Sequence, residues 1–286
     1  MKKILILGVL ILLLLCSCRT TKPFGDEQYY QALGMDGDIV VTLNSNLFDV
    51  KQYIEADNAL IDFVTSRMTR FSVALTEQED NSYDYYGAVE GSFSKTLVNT
   101  ALKVGGLSKQ KDSEAKLNFY VDEGSRLQFA IPVKDVVLFS STSVVENYNQ
   151  TFKDRVKRIS DEQALKMACS QIGIYIANPK TMFDLGFDIP QSAYDNIASV
   201  LLVMDDNYVS ADFKLKTQEL ADSFSIIIRS SYVTKLKQEG QKVDIVALKE
   251  MFTQELDKVS VKDYEFTEEQ LKSIKDMINA VLDMIS

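Results

Sequence analysis

The chain has few groups able to do covalent chemistry. It contains no histidine in 286 residues, so neither a Ser-His-Asp nor a Cys-His nucleophile can be assembled. Zinc sites that need histidine are excluded with it. Any general acid or base has to be a carboxylate, lysine or tyrosine shifted by its surroundings. Cys169 falls on the apolar stripe Leu165, Cys169, Ile172 and reads as a small buried hydrophobe. Two acidic turns offer oxygen ligands of the kind a hard cation takes. They are Glu77, Glu79 and Asp80, and then Asp205, Asp206 and Asn207. Neither has EF-hand spacing, and both read as solvated hairpin tips. No metal and no cofactor is expected. Tyr83-Asp84-Tyr85-Tyr86 joins aromatic faces to a carboxylate. Such mixtures line sugar sites and protein interfaces, which makes this the leading candidate for recognition. The plainer reading is a strand that sends its tyrosines alternately in and out. Glycoside hydrolysis needs two acids close in space, and spacing singles out no pair among 41 acidic residues. The chain has no P-loop, no dinucleotide fingerprint and no Gly-x-Ser-x-Gly.

These candidates have to be positioned by an α+β body. Ile39-Val40-Val41-Thr42-Leu43 reads as a strand, rich in β-branched residues. Leu60, Ile61, Val64 and Met68 recur at helical spacing behind a possible N-cap at Asp57. Strands are predicted over 71–75 and 85–90, and a helix through Phe93, Leu97, Ala101 and Val104 ends at Gly105. Residues 117–121 and 127–131 form a hairpin, and 136–139 extend the sheet. Helices are predicted over 143–158 and, behind the capping box Ser160-Asp161-Glu162-Gln163, through Ser170. The C-terminal third reads as helical, with apolar faces over 220–236, over 246–256, and over 271–285 behind a second capping box at Thr267 to Gln270.

An internal echo runs through this order. Ile39-Val40-Val41 and Leu47-Phe48-Asp49-Val50 match Ile174-Tyr175-Ile176 and Met182-Phe183-Asp184-Leu185 at one constant offset. The succession strand, helix, strand, acidic turn, strand, helix occurs twice. Duplication explains this, and so does coincidence between two ordinary α+β segments.

The N-terminus carries an address. Met1-Lys2-Lys3 is basic, Ile4 to Leu15 is an unbroken apolar run, and Leu15-Cys16-Ser17-Cys18 closes it. The run is shorter than the roughly 20 residues a membrane-spanning helix needs and suits a signal peptide. The segment resembles the signal peptides of bacterial lipoproteins, in which a leucine stands three residues before the modified cysteine and a small residue just before it. Cys16 departs from the usual small residue at its position. The resemblance implies cleavage between Ser17 and Cys18 and lipid on Cys18. It also implies an exported, envelope-bound protein. Arg19, where an aspartate retains some lipoproteins at the inner membrane, points toward the outer membrane.

The predicted organisation follows. Residues 1–17 are a signal peptide, 18–37 a lipidated tether, 38–170 a first α+β half and 171–286 a second half with C-terminal helices. The fold class is α+β, mainly antiparallel sheet with packed helices, in two related halves. The formal charge of −10, more negative once Lys2 and Lys3 leave, disfavours nucleic acid as a partner. The expected function is a non-enzymatic binding or structural role in the envelope. The expected partners are the membrane, through the lipid on Cys18, and a protein or an apolar ligand. A carrier of an apolar ligand and a carboxylate-dependent hydrolase are the alternatives.

Overall fold

The structure is a computed structural model that describes residues 32–34, 38–47, 66–80, 82–125, 127–179 and 189–283. Its centre is a pair of strands buried on both faces. Strand β1 (Asp38–Leu43) and strand β8 (Ile172–Ala177) are antiparallel neighbours, with Val41 opposite Ile174. Alternate side chains go to opposite sides of a strand. Val41, Leu43, Ile172 and Ile174 therefore enter one core, and Val40, Tyr175 and Ala177 enter another behind the sheet. Burial on both faces explains why these segments read as continuous apolar runs rather than alternations.

The sheet grows outward from this pair by antiparallel steps. On one side stand β2 (Met68–Glu77), β3 (Tyr83–Gly91), β7 (Val136–Ser140) and β6 (Gln128–Ala130). On the other stand β9 (Ile197–Asp205), β10 (Tyr208–Leu215), β12 (Lys258–Glu265) and β11 (Phe252–Glu255). The wiring matches on the two sides: two successive neighbours, a helical excursion, then a hairpin that inserts its second strand first. The first side carries a further hairpin, β5 (Leu117–Val121) and β4 (Ser108–Asp112), giving twelve strands in one sheet. The echoed segments Ile39-Val40-Val41 and Ile174-Tyr175-Ile176 lie in β1 and β8. The later part of that match, 48–50 and 182–185, lies outside the described residues, as does the helix predicted from Asp57 up to residue 65; Met68, assigned to that helix, instead opens β2, where it pairs with Gly91. The sheet crosses the predicted boundary at 170 without a break.

Helices cover the sheet where their apolar stripes demand it. Helix α5 (Gln218–Gln238) sets Phe224 against Phe213 of β10, ring centroids 5.1 Å apart, and α7 (Glu268–Asp283) buries Ile274 and Ile278 in the same core. Behind the sheet, α3 (Asp161–Cys169) buries Ala164, Met167 and Ala168. Helix α2 (Val144–Tyr148) continues into a π-helical turn, Asn149–Lys153, and buries Val144, Asn147 and Thr151. The remaining helices are α1 (Lys95–Val104), α4 (Gln191–Tyr194) and α6 (Ile245–Met251), none of which buries a residue.

Four further expectations need correction. Cys169 is exposed, because the inward stripe of α3 is Ala164, Met167 and Ala168, which leaves Leu165 and Cys169 outside. The helix predicted over 246–256 stops at Met251. Phe252 pairs with Val261 in the β11–β12 hairpin and packs on Tyr232 of α5, ring centroids 5.3 Å apart. That long-range ladder overrides the local helical spacing. The helix predicted over 143–158 is cut short by the π-helical turn, which ends at Lys153. Ala32 and Leu33, assigned to the tether, belong to the body. Both are buried, with Leu33 in the core behind the sheet.

Candidate functional site

Strand alternation decides what the tyrosine cluster can do. Tyr83 and Tyr85 pack toward the core shared with α5 and α7, and Tyr85 tilts against Phe139 at 6.5 Å. Asp84 and Tyr86 point to the opposite face. The four residues therefore form no single surface. Cys18, the predicted lipidation site, lies outside the described residues.

Asp84 and Tyr86 line a recess of about 150 Å³ between the outer end of β3 and helix α2. Thr76 of β2, Ser140 of β7, and Glu146 and Asn147 of α2 complete its chemistry. Helix α2 is set in place by Ser143, whose hydroxyl accepts from the backbone N–H of Glu146. Tyr86 accepts a hydrogen bond from Arg158 Nη1 at 3.4 Å. Burial, and then the Asp38 carboxylate, push its phenol up to about 12. The hydroxyl keeps its proton at neutral pH and remains a donor.

A larger trough, about 370 Å³, lies on the same face of the sheet beyond α3. Its floor carries Leu201, Val203, Ser210, Asp212 and Ser260, and its wall carries Glu162 and Lys166. The charges are tied to one another. Lys166 Nζ stands 2.5 Å from Asp212 Oδ2 and 3.1 Å from Glu162. Lys258 reaches Glu162 at 3.2 Å, and Ser260 donates to Asp212 Oδ1 at 2.6 Å. Hydrogen bonds from Lys166 and then Lys258 hold Glu162 below the usual carboxylate range, the reverse of what a general acid needs. Partial burial pushes Lys166 down, but Asp212 and Glu162 outweigh it and leave the lysine raised. The trough is a solvated sheet face whose charges neutralise each other.

The acidic turns have structural work. Asp80 Oδ1 accepts from the backbone and hydroxyl of Ser82 at 3.0 and 2.5 Å, which lowers its pKa. Asp205 accepts from the backbone of Gln171, and Asp206 exchanges two hydrogen bonds with the Gln171 side chain. The second turn thereby clamps the junction of α3 and β8. Among the described residues, no group of three or more acidic or cysteine side chains could hold a metal, and no helix is long and apolar enough to cross a membrane.

Sequence reasoning picked out Asp84 and Tyr86 but missed their neighbours across the recess. Glu146 and Asn147 sit on another element, and no local signal joins them to β3. The trough network left one local trace, the i,i+4 pair Glu162 and Lys166.

No family model matches the chain, and no curated protein does. Solved structures do share its fold. Crystal form I of TP0453 matches at 12% identity with a TM-score of 0.54, covering 89% of this chain and 98% of that one. Crystal form IV of TP0453 matches at 15% identity with a TM-score of 0.51, covering 85% and 94%. At these identities the likeness is one of fold.

Proposed function

We propose that the chain is a lipid-anchored protein of the bacterial cell envelope, at the outer membrane, and that it works by binding rather than by catalysis. The observation that carries this reading is the N-terminal sequence, in which Leu15, Ser17 and Cys18 stand at lipobox positions behind a basic start and an apolar run. The lipid on Cys18 holds the protein to the membrane. Roughly fourteen residues then lead to the body at Ala32, about 50 Å when fully extended. One acyl chain gives only marginal anchoring, so several chains on the mature cysteine carry the attachment.

Charged, hydroxyl and amide side chains make up most of the residues lining the two concavities described above, which supports a hydrophilic partner, since an apolar cargo would need an apolar pocket of about 300–1,000 Å³. The lysine pairing of Glu162 and Asp212 speaks against a hydrolase at the trough. Membrane fractionation tests the anchoring. The wild-type chain should sediment with membranes and the Cys18→Ala variant should not be found there as a mature product. A wild-type chain recovered free in the soluble fraction would overturn the reading. Native mass spectrometry that found a co-purified lipid held by the body would favour the carrier instead.

A further inference from the structure

The recess between β3 and α2 is lined by a buried donor that has no acceptor among the described residues. Asn147 is 4% exposed and lines the recess. Its Oδ1 accepts from Thr151 Oγ1 at 3.4 Å, while its Nδ2 has no hydrogen-bond partner among the described residues. A buried amide donor left unpaired costs free energy, and each such group in a folded protein calls for an explanation. Nδ2 is closed to a water-sized atom as it stands, so an acceptor in the recess supplies one when the amide turns toward it.

The rest of the lining narrows the chemistry of that acceptor. Asp84 and Glu146 place two carboxylates at the recess, and the charge of Asp38 is felt at Tyr86. The guanidinium nearby, Arg158, is engaged with the Tyr86 hydroxyl. This field repels phosphate, sulfate or a uronate. A bare cation would suit the carboxylates but leave the Asn147 donor unpaired. What fits both is a neutral ligand whose groups donate and accept at once. Hydroxyls do this, giving hydrogens to the carboxylates and lone pairs to the amide. Ser140 and Thr142 add hydroxyls that bond to each other at 3.2 Å and can turn toward a ligand. A volume of about 150 Å³ suits one sugar ring.

We infer that this recess is a binding subsite for a neutral polyhydroxylated ligand, one hexose-type ring at the end of a glycan. The inference goes beyond the anchoring proposed above and does not depend on it, since the recess lies in the body.

Saturation-transfer NMR on the full chain, in a detergent without a sugar head group, tests it. The probes are methyl glucopyranoside, methyl N-acetylglucosaminide and glucuronate. At least one neutral glycoside should bind, with a Kd near 1 mM, and glucuronate should not. Asn147→Asp replaces the donor with an acceptor and should weaken binding about tenfold or more. Because Asn147 is buried, Glu146→Gln on the exposed side serves as a second variant, and it too should weaken binding with the circular dichroism unchanged. Tyr83→Phe, on the other face of the sheet, should bind as the wild type does. Failure of both neutral glycosides, equal binding of glucuronate, or wild-type affinity in both recess variants would overturn the assignment.

Discussion

Replacing Tyr86 with phenylalanine should make the alkaline stability curve of the protein cross that of the variant. The phenol is held up at about 12, first by burial and then by Asp38, against an ordinary value of 10.0. Below pH 10 the proton is bound in both folded and unfolded chains and the shift costs nothing. As pH rises from about 10 to about 12, the unfolded chain loses the proton while the folded chain keeps it, so stability falls by about 1.4 kcal/mol per pH unit and about 2.7 kcal/mol in all. The variant has no such proton. It does lose the hydrogen bond from Arg158, which at 3.4 Å contributes about 1 kcal/mol. The variant should therefore be the less stable chain at pH 8, equal the wild type near pH 11, and exceed it above that. Groups other than Tyr86 that titrate at alkaline pH do so in both chains and cancel in the difference. Urea denaturation followed by circular dichroism at pH 8 to 11.5 reads the effect. Parallel curves over that range would refute the burial argument for Tyr86 and, with it, the description of the recess wall.

Other outcomes follow from the same packing. Gly87→Ala should cost about 2 kcal/mol or more, roughly 4–8 °C in Tm, because a Cβ there would lie 2.3 Å from the Ser72 carbonyl oxygen and 2.4 Å from Phe139 Cζ; calorimetry checks this. Cys169 is exposed and should react with a thiol reagent in the native protein without prior unfolding, where the sequence alone predicted protection. A double-mutant cycle on Lys166 and Asp212 should give a coupling of about 1 kcal/mol or more, since Asp212 is 13% exposed. The same cycle on Lys258 and Glu162, with Glu162 at 62%, should give less than about 1 kcal/mol and fade in high salt.

What the sequence revealed was local. The run at Ile39 to Leu43 announced a strand because both faces of β1 are buried and nearly every position is apolar. The capping boxes were legible because both hydrogen bonds lie within four residues: Ser160 with Gln163 at 3.2 Å each way, and Thr267 with Gln270 at 3.0 and 3.3 Å. What it concealed was decided at long range. Phe252 follows a helical spacing until the ladder to Val261 and the ring of Tyr232 claim it. Cys169 shares a stripe with Leu165, yet the sheet takes the neighbouring stripe. Asp84 and Tyr86 could be named, but the partner that makes them interesting, Asn147, arrives from a helix more than fifty residues away. Tyr83 and Tyr85 were grouped with them because adjacency along a chain does not report which face a strand gives each residue.

The attachment of this body to a membrane turns on one modified residue. Mass spectrometry of the N-terminal peptide, from protein recovered in the membrane fraction, measures it directly. The peptide should begin at Cys18 and carry the added mass of acyl chains. A peptide running unbroken through Ser17 into an unmodified Cys18 would contradict the account.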